Sequence, residues 1–344
     1  MNSSNWQDFL ASVGARLEAG EACDFGDAQA ELKAAAGDTV LAPLTQFGVI
    51  RATGEDAASF LHNLFSNDVQ HLGRERAERC GFCSPKGRLL ADFLIWREGQ
   101  DYLLQLSSDI QPGMLKKLGM YVLRSKVKLS DANSDIVLLG IAGTGAAAAL
   151  RALGAGIPSS SQYDVLRFDA GTAIRLDEHR IQLAVHANAA VPVWNKLASL
   201  ARPVGTPAWR WLEIAAGVPH ITSATQEEFV PQMANLELIG GVSFTKGCYP
   251  GQEIVARTKY LGKVKRRTYR ASVQSDCPQP GTDLFSPDLA DQSCGKVIEA
   301  APSPSGGCEL LASMLMSSAE AGDVRVGSAD GPRLRFLALP YPLE

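Results

Sequence analysis

Hydrophobic residues recur along the chain with two different periods, and the switches between them outline its elements. Trp6, Phe9, Leu10, Val13 and Leu17 lie three to four residues apart and predict an amphipathic N-terminal helix; a short second helix is expected over Asp27–Ala36. Gln46–Thr53 alternates and predicts a strand, after which Ala57–Leu64 returns to helical spacing and buries Phe60, Leu61 and Leu64. Strands are predicted over 79–83, 89–96 and 102–106, a helix over 112–121, and strands over 124–129 and 136–141. An antiparallel meander over 165–185 and helices over 191–200 and 208–216 follow. Beyond about residue 265 the texture changes: short strands separated by Pro, Gly, Ser and Asp turns predict a small antiparallel β-barrel.

Length and composition narrow this picture. The 344 residues exceed what one ordinary core supports, so more than one domain is expected. Hydrophobic content of 46% with 20% charged residues describes a globular protein, and no apolar run reaches the length of a membrane span. The N-terminal stretch lacks a basic region followed by an apolar one, so no secretory signal is expected. Seven cysteines without such a signal argue for thiols in a reducing compartment, and hence a cytoplasmic protein. Net charge is −4, yet Lys246–Arg270 carries eight basic residues against Glu253 alone. That block suggests an anionic partner (a polycarboxylate ligand, nucleic acid or an acidic protein face) or a solvated basic surface. Few aromatic residues interleave with it, so direct nucleic-acid binding ranks low.

Four stretches carry candidate chemistry. Cys80-Gly81-Phe82-Cys83 has redox or metal spacing, but on a strand its cysteines point to opposite faces, and no second pair completes a zinc site; no metal is expected. Gly143-Thr144-Gly145-Ala146-Ala147-Ala148 matches a loose dinucleotide pattern without the flanking βαβ series, and a Gly-started helix on a sheet explains it equally well. Glu213 is an acid inside the Ala208–Ala216 helix and needs either an internal partner or a ligand that donates hydrogen bonds. Lys246-Gly247-Cys248-Tyr249-Pro250-Gly251-Gln252-Glu253 is the densest. Pro250-Gly251 predicts a type II turn, and the spacing after it predicts a helix. Cys248 is then expected on a tight loop before a helix N-terminus, where that end and Lys246 both favour thiolate. The bland reading is a structural turn around a small buried cysteine.

These residues resemble the signature of the YgfZ proteins, the folate-binding relatives of the glycine-cleavage T-protein, an aminomethyltransferase. The likeness runs from Pro231-Gln232-Met233 and Asn235-Leu236 through Gly240–Phe244 and the cysteine loop to Val255–Thr258, Tyr260–Lys263 and Lys265-Arg266. Weaker agreement covers Phe60-Leu61, Asn67–Val69, Lys86–Arg88 and Arg124–Val127, and so about residues 45–340. The resemblance implies an α+β, T-protein-like fold of several subdomains with a C-terminal small antiparallel β-barrel: an N-terminal segment 1–44, a folate-binding part 45–262 and the barrel 263–344. It implies tetrahydrofolate or a derivative as cofactor and iron–sulfur enzymes or their assembly proteins as partners, among them an enzyme that thiolates tRNA. Carried over by position, Cys248, Lys246 and Asp92 become the candidate reactive residues. Glu213, which matches the acid that holds the pterin ring, joins Lys246, Tyr249, Gln252, Arg257 and Arg266 as candidate folate contacts. One departure matters: the T-protein has two adjacent acids where this chain has Ala91-Asp92. The expected function is therefore a folate-binding assembly or repair protein for iron–sulfur enzymes, with a tetrahydrofolate-dependent aminomethyl or one-carbon transferase as the alternative.

Overall fold

The computed structural model describes residues 3–159, 161–260, 262, 264–289 and 292–343. In chain order the first elements are α1 (Ser3–Ser12), β1 (Arg16–Glu18), β2 (Glu21–Asp24), α2 (Ala28–Gly37), β3 (Val40–Pro43), β4 (Phe47–Thr53) and α3 (Ala57–Leu64). Next come β5 (Glu78–Cys83), β6 (Leu89–Glu98), β7 (Asp101–Ser107), α4 (Gln111–Val122), β8 (Lys128–Asp131), β9 (Ile136–Ala142) and α5 (Ala146–Ala152). The middle continues with β10 (Val165–Phe168), β11 (Gly171–Arg175), β12 (Arg180–His186), α6 (Ala190–Ala198), β13 (Arg202–Pro203), α7 (Thr206–Ala215) and α8 (Gln252–Tyr260). Last are β14 (Arg266–Val273), β15 (Asp283–Phe285), β16 (Ser293–Pro302), β17 (Cys308–Leu315), α9 (Met316–Ala321), β18 (Arg325–Val326) and β19 (Arg335–Leu337).

The chain divides into two compact units. The first comprises Met1–Ala57, His71–Glu78 and Leu94–Trp209. Its main sheet has the order β10-β11-β12-β9-β3-β13, and Trp6, Leu10 and Trp194 pack in the core on that sheet. The second comprises Ala58–Gln70, Arg79–Phe93 and Arg210–Glu344. It contains most of β5, the start of β6 and the C-terminal sheet, ordered β18-β15-β16-β17-β14-β19. The expected barrel is present as this curled, antiparallel half-barrel, with Val297, Leu310, Ala312 and Met314 buried inside it.

Several local expectations are corrected. The N-terminal helix stops at Ser12 because Gly14, at φ +99°, turns the chain into β1; Val13 is exposed and Leu17 lies on that strand. Residues 124–127 turn instead of forming a strand, and β8 starts only at Lys128, after Leu123 at φ +44°. Cys277 and Cys308, expected as thiols, form a disulfide with Cα atoms 5.2 Å apart. The curl of the C-terminal sheet brings the loop before β15 to the start of β17, a closeness that a sequence separation of 31 hides. Cys80 and Cys83 are buried on β5, and burial pushes the Cys83 thiol up to about 12. No group of His, Cys, Asp or Glu among the described residues could hold a metal. The glycine turn at 143–145 is closed to a phosphate: the Gly145 amide donates to Thr39 Oγ1 at 3.0 Å, and β9 has only antiparallel neighbours. No helix among the described residues is long and apolar enough to cross a membrane.

Candidate functional site

Two groups of side chains stand out in the second unit. The first is a buried charge cluster. Asp92 lies on β6, and Glu213 lies in the last turn of α7. Gly217, at φ +67°, and Pro219 then reverse the chain and deliver His220. Its Nδ1 donates to Asp92 Oδ2 at 3.1 Å, and its Nε2 donates to Glu213 Oε2 at 3.0 Å. An imidazole can donate from both nitrogens only as the cation. Burial by itself pulls the imidazole down, but the Asp92 charge and the hydrogen bonds to Asp92 and Glu213 outweigh it and hold the pKa at about 10. Asp92 Oδ1 also accepts from the Ile221 amide at 2.6 Å. Arg79 on β5 flanks both acids, 3.8 Å from Asp92 and 3.7 Å from Glu213. All four side chains are at most 6% exposed, so the cluster survives only because its charges balance.

Glu299 on β16 extends the cluster. Its Oε1 lies 3.3 Å from Arg210 Nε, while its Oε2 is buried without a hydrogen-bond partner among the described residues. Burial pushes this carboxyl up to about 7, against the pull of His220 and Arg210. A buried carboxyl oxygen left unsatisfied is the kind of atom a ligand completes.

The second group is the cysteine loop. Gly251 takes φ +79°, as the Pro-Gly turn requires, and α8 begins at once with Gln252. The turn lies directly on the Ser84–Gly87 turn: a Cβ on Gly251 would come 2.5 Å from the Ser84 carbonyl, and one on Gly87 would come 2.8 Å from Ile254 Cβ. Upstream, Ser66 Oγ donates to the Gly241 carbonyl at 2.6 Å, and Asn67 Nδ2 donates to Gly240 at 2.8 Å. Gln232 holds α8 through the Val255 carbonyl at 2.7 Å, and the Asn235 amide bridges to the Thr268 carbonyl on β14 at 2.8 Å.

Lys246 does something other than electrostatically activate the thiol. It is buried, and its ammonium donates to the carbonyls of His62 and Phe65 at the C-terminal end of α3, the latter at 2.6 Å. It thus satisfies carbonyls that the helix end leaves without partners. It also lies 5.0 Å from the centre of the buried Tyr249 ring, a cation–π contact. Cys248 itself is exposed and makes no hydrogen bond with any described residue. Gln252 is half-buried at the start of α8, and Arg257 is exposed in its last turn.

The basic block is not one patch. Arg266 donates to the Cys294 carbonyl at 2.6 Å, Arg267 pairs with Glu237, and Arg270 grips Glu309 at 2.6 and 3.0 Å. Lys263 lies outside the described residues. Asp92 and Glu213 therefore come together through His220, while Lys246, Cys248, Tyr249 and Gln252 form a separate, loop-centred group. His220, Arg79 and Glu299 were not read from sequence. The available signal was a lone polar residue in an apolar run: His220 between Pro219 and Ile221, and Glu299 between Ile298 and Ala300.

Residues 19–243 match the family described as the GCVT N-terminal domain. The chain is 32% identical over 312 residues to the tRNA-modifying protein YgfZ of Cronobacter sakazakii, covering 88% of this chain and 93% of that protein. The Klebsiella pneumoniae protein of the same name is 32% identical over 311 residues, with the same coverage. The chain belongs to the YgfZ family. Among solved structures, the glycine cleavage system aminomethyltransferase T of Bartonella henselae superposes with a TM-score of 0.75 over 97% of this chain and 96% of that one. At 15% identity the shared property is the fold, which gives this YgfZ-family chain the expected α+β, T-protein-like architecture.

Proposed function

We propose that this protein binds a reduced folate, tetrahydrofolate or a derivative, and assists the assembly or repair of iron–sulfur enzymes, including tRNA-thiolating ones, with Cys248 as the working thiolate. The observation that carries the reading is the contrast at Cys248: an exposed thiol without a hydrogen-bond partner among the described residues, on a loop fixed on both sides. Family membership and fold support the folate, and so do the acceptors present. Glu213 and the unsatisfied Oε2 of Glu299 are buried acceptors of the kind an aminopyrimidine edge requires. Such a folate would supply a carried one-carbon unit or reducing equivalents. The protein's part is to hold its ring on carboxylates and to present Cys248.

The transferase alternative asks Asp92 to orient a folate nitrogen. Both Asp92 oxygens are engaged, by the Ile221 amide and by His220, which favours the assembly reading. A calorimetric titration with tetrahydrofolate tests the folate half: binding to the wild type and at least tenfold weaker binding to Glu213→Gln are expected, and no binding to the wild type would end the proposal. Complementation tests the thiol half. Cys248→Ala should bind folate normally yet fail to restore iron–sulfur enzyme activity in cells lacking the protein.

A further inference from the structure

The arginines of the second unit fall into two kinds. Arg267 and Arg270 each face a carboxylate, Glu237 and Glu309. Arg88 and Arg266 do not. Arg88 donates to the backbone carbonyl of Glu228, and Arg266 donates to that of Cys294 at 2.6 Å. Neither guanidinium has a carboxylate partner among the described residues, so most of its N–H fork is uncommitted.

Both line the same cavity, of about 350 Å³, formed by the 228–233 segment and the strands β14 to β17. Ser313 on β17 also lines it. Its hydroxyl is buried, the residue is 1% exposed, and it has no hydrogen-bond partner among the described residues. Lys296 is the third cation on the wall, paired with Asp283 at 2.9 Å. Once that pair is set aside, the charged residues on the wall are Arg88, Arg266 and the half-buried Glu228. Two unfilled forks and one unfilled hydroxyl around one space are all donors. A single group satisfies them together: an acceptor with several oxygens and negative charge. Guanidinium geometry matches carboxylate and phosphate oxygens in pairs. The volume falls in the range of small-molecule sites, about 300–1,000 Å³, and so suits an oxyanion carried on a small molecule.

We infer that this cavity is a binding site for a small phosphorylated or carboxylated molecule, its oxyanion held by Arg88, Arg266 and the Ser313 hydroxyl. It shares no residue with the Asp92–His220–Glu213 cluster; Arg266, which the family resemblance implies as a folate contact, lies on this cavity.

The test is thermal unfolding and calorimetry of the full chain with inorganic phosphate or glutarate, against chloride at matched ionic strength. A saturable rise in Tm with at least one anion is expected, and the anion that acts tells a phosphoryl from a carboxyl ligand. Arg88→Gln and Arg266→Gln should each weaken that binding at least tenfold, while Lys265→Gln, an exposed charge of the same basic block, should leave it unchanged. The arginine variants also lose a bond to a backbone carbonyl, so Ser313→Ala provides the second readout. In chloride its Tm should equal or exceed the wild type's, since an unsatisfied buried hydroxyl is removed, while anion affinity falls several-fold. No saturable response to either anion overturns the inference, and so does a response that survives in the Arg88→Gln/Arg266→Gln double variant. Tetrahydrofolate binding to Glu213→Gln reads the other site and decides neither outcome here.

Discussion

The charge cluster around His220 and the loop around Cys248 solve opposite problems with the same kinds of residue. In the cluster, ionised groups are taken out of water and matched one to one, so every member depends on the others. In the loop, the exposed thiol makes no hydrogen bond with a described residue, while Lys246 and Gly251 beside it are committed to backbone geometry. Lys246 illustrates the difference. A lysine two residues from a cysteine reads as an activating charge, yet its ammonium closes the end of α3. The cluster is built for a fixed charge state, and the loop for a fixed position.

The sharpest way to break this comparison is His220→Ala. It leaves Asp92 and Glu213 facing each other across a hole, and unfolding in urea should show a loss of about 3–5 kcal/mol, as for other buried pairs deprived of one partner. A loss under about 1 kcal/mol would mean that Arg79 alone balances the two acids.

The next effect is pH dependence. His220 has its folded pKa raised from 6.5 to about 10, so its contribution is complete below pH 6.5 and disappears as pH climbs toward 10. Glu299, raised from 4.5 to about 7, acts with the same sign at lower pH, losing its contribution between pH 4.5 and 7. Stability measured by denaturant titration should therefore decline from mildly acidic to alkaline pH. The alkaline part of that decline should vanish in His220→Ala.

Gly251→Ala probes the loop. Positive φ and a Cβ 2.5 Å from the Ser84 carbonyl together should remove about 1–3 kcal/mol. Because Gly87 meets the same turn, Gly87→Ala should couple to it in a double-mutant cycle, whereas neither should couple to His220→Ala. Cys248→Ala should have the smallest effect, within about 0.5 kcal/mol of wild type by thermal melting. A larger loss would show that the thiol helps hold its own loop.

Much of this was legible in the sequence. The alternation in β4, the helical spacing of α3 and the Pro-Gly turn before α8 are local signals, and each element formed where its pattern placed it. Boundaries failed where one backbone position overruled the pattern, as at Gly14 and Leu123. The site was legible unevenly. Glu213 could be singled out as an acid in an apolar helix and Asp92 through the family resemblance, but their shared partner could not. His220 is seven residues from one and 128 from the other. Nor could the fate of the arginines be read, since Arg266, Arg267 and Arg270 look alike in a row and meet three different partners.

The sequence by itself determined most of the helices and strands, the short-strand texture of the C-terminal part and the likeness of the cysteine loop to its family, because each rests on neighbours within a few residues. Only the tertiary structure decided that Asp92 and Glu213 share one imidazolium, that Lys246 caps a helix, that Cys277 meets Cys308 and that two arginines are left facing an open cavity. Those outcomes depend on which distant groups arrive within about 3 Å of one another, the distance at which a buried charge or hydrogen-bonding group finds a partner.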